Sequence, residues 1–348
     1  MLPPFGHGDQ PFGRRQRRPR GARVPVTVVT GFLGAGKTTL IRHFLDQPEG
    51  AGTAVVVNEF GEVGIDQALL APSAERVVLL GNGCLCCTAR SGLDTTFRDL
   101  LAARHRGDVP PFQRVVLETS GADDPAPILG SFLSDRALAR EYHLQAVVAA
   151  VDLATGAASL AGAPEARRQV AVADRIVLTK GDLAPPGGEA SLRAVLRGLN
   201  PRAPVTLAGN GVAPPALLLE ESPLAPAGFL VADDAAPHGG ELASFTLVLE
   251  HPLPWTALTA ALGLLCELRG ADLLRVKGIV AVRECRGPVV VHAVQHILHR
   301  PLELEAWPDA DRRSRLVFIT RGLQRQPVLD LFRAVAGLAA PDTIQETP

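Results

Sequence analysis

The chain has 348 residues, a length that predicts about two domains. Hydrophobic residues make up 47% and charged residues 20%, which is typical of a packed globular protein and excludes a disordered one. The formal net charge of -1 and an aromatic content of 4% argue against a chain-wide surface for nucleic acid or lipid, so we expect neither as a partner.

The cysteines and the lack of long apolar runs predict a cytoplasmic protein. The cysteine count of 5 is odd and three of the five are clustered, which is not the pattern of a disulfide framework. No apolar run approaches the roughly 20 residues that a membrane-spanning helix needs. Residues 1–23 are rich in arginine and lack the apolar segment of a signal peptide, so we expect a disordered basic tail there.

Residues 24–207 are predicted to form an α/β domain, because short β-branched runs alternate with helical stretches. The nearly continuous apolar character of the strands indicates a parallel sheet with helices on both faces, as in P-loop NTPases. The predicted strands are 24–30, 53–57, 77–80, 114–118, 145–152 and 175–179, and the predicted helices are 37–46, 92–104, 126–140 and 189–199.

A second, smaller α+β domain is predicted for residues 241–348, after a linker at 208–240 that is rich in proline, alanine and glycine. The order of elements favours a mostly antiparallel sheet. The predicted strands are 242–250, 272–282, 288–298 and 314–320, and the helices are 254–269 and 326–338. If 288–298 is one strand, His292 and His296 share a face.

The segment GFLGAGKTT at 31–39 matches the P-loop pattern and lies between a β-branched strand and an amphipathic helix. Glycines let the backbone wrap closely around phosphates, and the amides of the helix start point at the anion. Lys37 is expected to neutralise the β- and γ-phosphates and Thr38 to bind Mg²⁺. The other residues expected to contact the nucleotide here are Gly31, Gly34, Ala35, Gly36 and Thr39.

The segment TKGD at 179–182 follows an apolar strand, as the guanine-reading motif of GTPases does. The Asp182 carboxylate can accept hydrogen bonds from the ring N–H and the exocyclic amine of guanine, a donor pair that adenine lacks on that edge. The Lys180 stem can lie along the ring, and Thr179 stands where asparagine is commoner. The alternative is an exposed turn that merely follows a strand.

Two further strand ends carry carboxylates. Glu118, in VVLETSG, is at the Walker-B position and is expected to act on Mg²⁺ or water, while the Gly121 amide is expected to approach the γ-phosphate. Asp152 ends another strand at the edge where ligands bind in such sheets. It is equally interpretable as a site residue or as a strand-end cap.

Cys84, Cys86 and Cys87, in GNGCLCC, give three thiols within four positions, which is the pattern of a soft metal site. Three thiolates favour Zn²⁺ or Cu(I) over Mg²⁺, and cobalt binds similar sites; zinc is the expected metal and cobalt an alternative. Redox chemistry and inert buried thiols are the other interpretations. Upstream, the loop VNEFGEVGID holds several carboxylates that could contact Mg²⁺, a second metal or only solvent.

Together these motifs resemble those of the CobW-type metallochaperone GTPases, in particular the YjiA-like branch. The resemblance covers about residues 24–340 and includes LLRVKGIVAV and VVVHAVQHILHRP in the second domain. It implies GTP hydrolysis with Mg²⁺, metal binding at Cys84, Cys86 and Cys87 with Glu62 as a candidate extra ligand, and delivery of zinc or cobalt to a client metalloprotein. The chain departs from the family in its linker, where His238 is the sole histidine.

Lys37 and Glu118 are the residues expected to act in catalysis. No hydrolytic base or arginine finger is evident, so slow intrinsic hydrolysis is expected. Three rival functions remain open: an assembly factor for one cobalt- or iron-dependent enzyme, such as a cobalt chelatase or nitrile hydratase, an ATP-dependent kinase or transferase, and a non-enzymatic zinc or thiol regulator.

Overall fold

A computed structural model describes residues 23–58, 79–81, 91–134, 137–209, 212–221, 242–298 and 301–338. The described residues divide into two compact units, 23–221 and 242–338, each with its own buried core residues. Among the described residues, no helix has both the length and the apolar character needed to cross a bilayer.

The first unit is built on a sheet of seven described strands, in which every pair of neighbouring strands is parallel. The strand order is β3-β2-β4-β1-β5-β6-β7, so β1 is central. The strands are β1 (Val24–Thr30), β2 (Thr53–Asn58), β3 (Leu79–Gly81), β4 (Arg114–Thr119), β5 (Tyr142–Asp152), β6 (Arg175–Thr179) and β7 (Val205–Leu207).

Helices cover both faces of this sheet. The helices are α1 (Lys37–Leu45), α2 (Ser91–Arg106), α3 (Ala126–Ser134), α4 (Leu138–Glu141), α5 (Gly156–Gly162), α6 (Pro164–Val172), α7 (Gly188–Leu199) and α8 (Ala216–Leu219). Alternate residues of β5 divide between two cores. Val148 packs in the core that contains Phe44 of α1, whereas Ala149 packs in the core that contains Val170 of α6 and Leu192 of α7. The predicted P-loop NTPase fold is therefore confirmed.

Several elements differ from the prediction. The predicted helix 126–140 is described as two helices, α3 and α4. Helices α5 and α6 and strand β7 were not predicted. Helix α5 is rich in alanine and glycine and shows no apolar periodicity, and β7 has three residues. The described residues of 208–221, which the sequence places in the linker, pack against the first sheet through Leu217 and Leu218.

Three side chains of the sheet hold the carbonyl groups at the end of α8. Thr27 Oγ1 donates to the Leu218 carbonyl at 2.8 Å, and the Gln145 amide donates to the Leu219 carbonyl. The buried Arg175 guanidinium donates to the carbonyls of Glu220 at 2.9 Å and Glu221 at 3.0 Å, and to that of Leu217 at 3.3 Å. We call these contacts the α8 clamp.

The second unit contains an antiparallel sheet of six described strands, ordered β11-β10-β9-β13-β8 with β12 paired to β10. Its elements are β8 (Leu242–Leu249), α9 (Trp255–Arg269), β9 (Leu273–Val280), β10 (Val289–Val294), β11 (Ile297–Leu298), β12 (Leu302–Glu303), β13 (Ser314–Arg321) and α10 (Arg325–Leu338). Leu258 of α9 and Phe332 of α10 share a core with Phe245 and Phe318 of the sheet. The predicted α+β architecture is therefore confirmed.

The predicted strand 288–298 is a hairpin. Val294 pairs with Ile297, so Gln295 and His296 form a two-residue turn, with Gln295 at φ 50°. The expectation that His292 and His296 share a strand face is therefore wrong. The sequence lacks the glycine or asparagine that usually marks such a turn. His296 Nδ1 lies 3.0 Å from the Cys266 carbonyl oxygen.

Candidate functional site

The loop 31–36 links the carboxyl end of β1 to the start of α1. Gly31 has a φ of 143°, and a Cβ there would collide with the carbonyl oxygen of Ala150. Gly36 caps α1 in the left-handed region, with a φ of 84°. Both positions therefore require glycine. Gly34 also has positive φ and Ala35 is buried. The loop has the curvature of a phosphate cradle at a helix N-terminus.

Lys37 folds back over this loop. Its side chain is buried, and its Nζ donates to the Gly31 carbonyl at 3.0 Å and to the Phe32 carbonyl at 3.4 Å. The positive charge therefore lies at the concave side of the loop, where a phosphate would be neutralised. Thr39, in the first turn of α1, is exposed.

Thr38 and Glu118 meet although 80 residues separate them along the chain. Thr38 Oγ1 donates to Glu118 Oε1 at 2.7 Å, and Glu118 is buried at the end of β4, where it pairs in register with Val29 of β1. Two adjacent hard oxygen atoms beside a phosphate cradle fit the ligand preference of Mg²⁺.

Thr179 connects the end of β6 to the phosphate loop. Its hydroxyl donates to the carbonyl of Ala35 at 2.7 Å, and its side chain lies 3.6 Å from where a Gly36 Cβ would be. The hydroxyl thus ties the TKGD segment to the cradle. Lys180 follows in the left-handed region with a φ of 54°, and Asp182 is exposed in the short turn after it.

Asp152 belongs to this site as an anchor for Lys180. Lys180 Nζ donates to Asp152 Oδ2 at 2.7 Å, and Asp152 Oδ1 accepts from the amides of Ala154 at 2.7 Å and Thr155 at 3.3 Å. Burial alone would raise the pKa of Asp152, but these hydrogen bonds, led by that of Lys180, outweigh it and lower the pKa below its ordinary value. The carboxylate is therefore charged at neutral pH and holds the lysine in place.

Gly121 lies directly against the phosphate loop. A Cβ on Gly121 would come within 2.8 Å of Leu33 Cα and of its amide nitrogen, so only glycine allows this approach. The expected nucleotide contacts from 31–39, 121 and 179–182 thus lie at the carboxyl ends of β1, β4 and β6, on the connecting loops and on the first turn of α1.

The expected zinc ligands Cys84, Cys86, Cys87 and Glu62 lie outside the described residues. Burial raises the pKa of Cys266 to about 11, and burial with two nearby glutamates raises that of Cys285 to about 12, so both are protonated thiols at neutral pH. Within the described ranges, no three metal-ligating side chains come together.

The sequence did not predict two contacts near the site. These are the ion pair between Lys180 and Asp152, and the hydrogen bonds from Gln169 to the Gly121 and Asp123 carbonyls. The Asp152–Lys180 pair follows from strand register, because Asp152 pairs with Thr179 across β5 and β6. Gln169 of α6 occupies an apolar position of that helix, three residues after buried Ala166 and one before buried Val170. A polar residue in an apolar stripe was the available signal.

The fold and these loops define a P-loop NTPase. Residues 25–207 match the CobW/HypB/UreG nucleotide-binding domain, and residues 242–336 match the cobalamin synthesis protein CobW C-terminal domain. The chain belongs to this family.

Similar proteins and structures support that assignment. The chain is 35% identical over 326 residues to the zinc chaperone YjiA of Escherichia coli strain K12, which covers 90% of this chain and 98% of that protein. It is 34% identical over 350 residues to the zinc chaperone CobW of Pseudomonas aeruginosa, which covers 90% and 91%. The crystal structure of the Zn(II)-bound YjiA GTPase from E. coli matches with a TM-score of 0.68 at 27% identity, covering 90% of this chain and 99% of that one.

Proposed function

We propose that this chain is a GTP-hydrolysing metallochaperone that binds zinc, with cobalt as an alternative, and delivers it to a client metalloprotein. The observation that carries the proposal is the Thr38–Glu118 contact beside the Lys37 cradle, with the TKGD loop tied to the same cradle by Thr179. Similarity to proteins named zinc chaperones, over almost their whole length, supports the metal.

In this proposal the first unit binds Mg-GTP. The amides of 31–39 and Gly121 hold the phosphates, Lys37 neutralises their charge, and Asp182 accepts hydrogen bonds from guanine beside the Lys180 stem. Thr38 and Glu118 hold Mg²⁺, which when bound withdraws charge from the β- and γ-phosphates. Glu118 also orders water near the γ-phosphate.

The metal cargo is held by the thiolates of Cys84, Cys86 and Cys87, with Glu62 as an extra ligand. The described strands support coupling to the nucleotide, because Val57 of β2 pairs in register with Glu118 of β4 and with Gly81 of β3. The segments that follow β2 and β3 therefore leave the sheet at the edge that holds Glu118. Nucleotide state then changes metal affinity by a coupling of about 1–3 kcal/mol.

Nucleotide identity is tested by comparing GTP, ATP and xanthosine triphosphate. The parent chain is expected to hydrolyse GTP and to ignore ATP, and Lys37→Ala is expected to abolish hydrolysis. Asp182→Asn places an amide N–H donor opposite the base, so it should weaken GTP binding and favour xanthine, whose 2-oxo group accepts that bond. Equal affinity of the parent for ATP and GTP would refute the guanine assignment.

Metal binding is tested by titrating Zn²⁺ against a chromophoric chelator, with the chain alone, with Mg-GDP and with a Mg-GTP analogue. The control is a variant with Cys84, Cys86 and Cys87 replaced by serine. We expect tight, thiol-dependent binding whose affinity shifts by about five-fold or more with nucleotide. Zinc affinity that is the same in all three nucleotide states, or that survives in the serine variant, contradicts the proposal.

A further inference from the structure

Gln169 of α6 joins that helix to the loop that follows Glu118. Its side chain is 1% exposed, and its Nε2 donates to the carbonyl of Gly121 at 3.1 Å and to the carbonyl of Asp123 at 3.0 Å. We call residues 120–123 the Gly121 loop. Gln169 is 46 or more residues away from this loop along the chain, so the contact depends on the tertiary fold.

The orientation of the Gln169 amide is fixed by its partners. Two carbonyl oxygens can be served only by the two N–H groups of the amide, so Oε1 must face the other way. It is buried without a hydrogen-bond partner among the described protein groups. Gln169 also lines a cavity of about 20 Å³ together with Gly31 and Thr155. That volume has room for about one water molecule. Glutamine at position 169 therefore contributes two donated hydrogen bonds rather than apolar packing.

The Gly121 loop also lies directly against the phosphate loop. The position of a Gly121 Cβ would be within 2.8 Å of Leu33 Cα, of its amide nitrogen and of its Cδ2, so the two loops are in van der Waals contact. Within the loop, the Asp123 amide donates to the Ser120 carbonyl at 3.4 Å. The loop, which begins two residues after Glu118, therefore contacts both Leu33 and Gln169.

Helix α6 is itself held in place beside β6, the strand that leads into TKGD. The buried Asn200 amide donates to the carbonyls of Val170, Ala171 and Ala173 at the end of α6, and Val170 packs in the core that contains Leu178 of β6. Because α6 is held rigidly, the single side chain of Gln169 can determine the position of the Gly121 loop.

We infer that Gln169 is a positioning residue for the GTP hydrolysis proposed above, and this inference rests on that proposed function. Its two bonds hold the carbonyls of Gly121 and Asp123, so the Gly121 amide and Glu118 keep one arrangement around the γ-phosphate. Without those bonds the loop has other arrangements available and the reacting groups lose alignment. A nucleoside diphosphate has no γ-phosphate, so its binding does not depend on Gln169.

The test is the variant Gln169→Leu, which keeps the size of the side chain and suits the apolar stripe of α6. We expect kcat for GTP hydrolysis to fall about 10- to 100-fold, the range expected for lost alignment, while GDP affinity stays close to that of the parent. Tm is expected to fall as well, because the Gly121 and Asp123 carbonyls lose a buried donor. Val170→Ala, at the next position of the same helix, is the matched control. It removes core packing, so it should lower Tm and leave kcat unchanged.

A kcat for Gln169→Leu equal to that of the parent overturns the inference, as does an equal fall in kcat for Val170→Ala at matched folded fraction. If Gln169→Leu does not fold, Gln169→Met carries the same prediction. Hydrogen exchange of the Asp123 amide with GDP bound is a second readout, expected to be faster in the Gln169 variant and unchanged in the Val170 variant. A parent that does not hydrolyse GTP refutes the proposed function and with it the role of Gln169 in hydrolysis. The exchange measurement separately decides whether Gln169 holds the Gly121 loop.

Discussion

At the scale of single residues, two short contacts join the base-reading segment to its surroundings. The Thr179 hydroxyl reaches the phosphate loop and Lys180 reaches Asp152. Lys180 takes up a left-handed backbone conformation, which costs a non-glycine residue about 1–2 kcal/mol. Neighbouring contacts must therefore hold it there, and the Asp152 carboxylate is the group placed to do so.

Removing the Thr179 hydroxyl tests the link between the base-reading segment and the cradle. Thr179→Val keeps the shape of the side chain but leaves the buried Ala35 carbonyl without this donor, so we expect a stability loss of about 1–3 kcal/mol and weaker GDP binding. Thermal unfolding and GDP titration measure both effects. Thr179→Ser keeps the hydroxyl and is the control. GDP affinity in Thr179→Val equal to that of Thr179→Ser would contradict the role given to this hydroxyl.

The lowered pKa of Asp152 predicts a pH dependence of stability. A carboxyl whose folded pKa is depressed stabilises the fold above its unfolded pKa of about 3.9, and this contribution disappears as pH falls through the folded pKa. The difference in unfolding free energy between the parent and Asp152→Asn should thus be constant from about pH 5 to 8 and shrink below about pH 4. Urea unfolding of both proteins across this range measures it. A difference that persists unchanged at low pH contradicts the assignment.

At the scale of secondary-structure elements, helix ends in the first unit are completed by side chains from elsewhere. Asn200 is 2% exposed, and its amide donates to three carbonyls at the end of α6 while its Oδ1 accepts from the amides of Arg202 and Ala203. The last carbonyls of a helix have no partner within the helix, so an external donor is required when that end is buried.

Asn200→Ala removes every one of these side-chain bonds. We expect a loss of stability on the order of 3 kcal/mol, because several buried carbonyls lose their donor together. Asn200→Asp keeps an acceptor for the Arg202 and Ala203 amides but loses the donors, so it separates the two contributions. Urea unfolding gives the values, and a loss in Asn200→Ala below about 1 kcal/mol would show that water replaces the amide.

Long elements could be predicted from sequence, whereas contacts between distant segments could not. The β-branched runs of β1 and β6 match the described strands residue for residue, because a buried parallel strand is apolar throughout. The two-residue turn at Gln295 carries no turn signal, and α5 is too poor in large apolar residues to show a period. The sequence motifs predicted the phosphate loop at 31–39 and the base-reading role of the TKGD segment at 179–182. The partners of Lys180 and Gln169 depend on strand register and helix placement, which local sequence does not encode.

At the scale of the whole molecule, the described cores are separate. Phe245 and Phe318 share a core with other residues of the second unit, whereas the cores around β5 contain residues of the first unit. All of the described residues given a role in nucleotide binding lie before Ser222. Among the described residues, the first unit thus has a sheet of seven strands, cores of its own and the whole set of phosphate and base loops.

A fragment of residues 1–222 is therefore expected to fold alone and to bind GDP with the affinity of the full chain. Circular dichroism on heating should show one cooperative transition, since a single packed domain unfolds as a unit. GDP titration compares the fragment with the parent, and a fragment ending at 207 is the control. The shorter fragment lacks Leu217 and Leu218 and should be less stable. A 1–222 fragment that does not fold contradicts the independence of the unit.

The α8 clamp has a mechanical consequence. The last described residues of the first unit are held by hydrogen bonds from the sheet to their carbonyl groups. The donors are the side chains of Thr27, Gln145 and Arg175, which lie on three adjacent strands. Arg175 is the first residue of β6, and Gln145 precedes the last seven residues of β5. These two hydrogen-bond donors therefore lie well before the carboxyl ends of their strands, where the nucleotide loops begin. We expect a pull on the chain beyond Ser222 to be borne first by the clamp. The tension would then enter the sheet away from the carboxyl-end loops, so the phosphate loop would keep its shape under load.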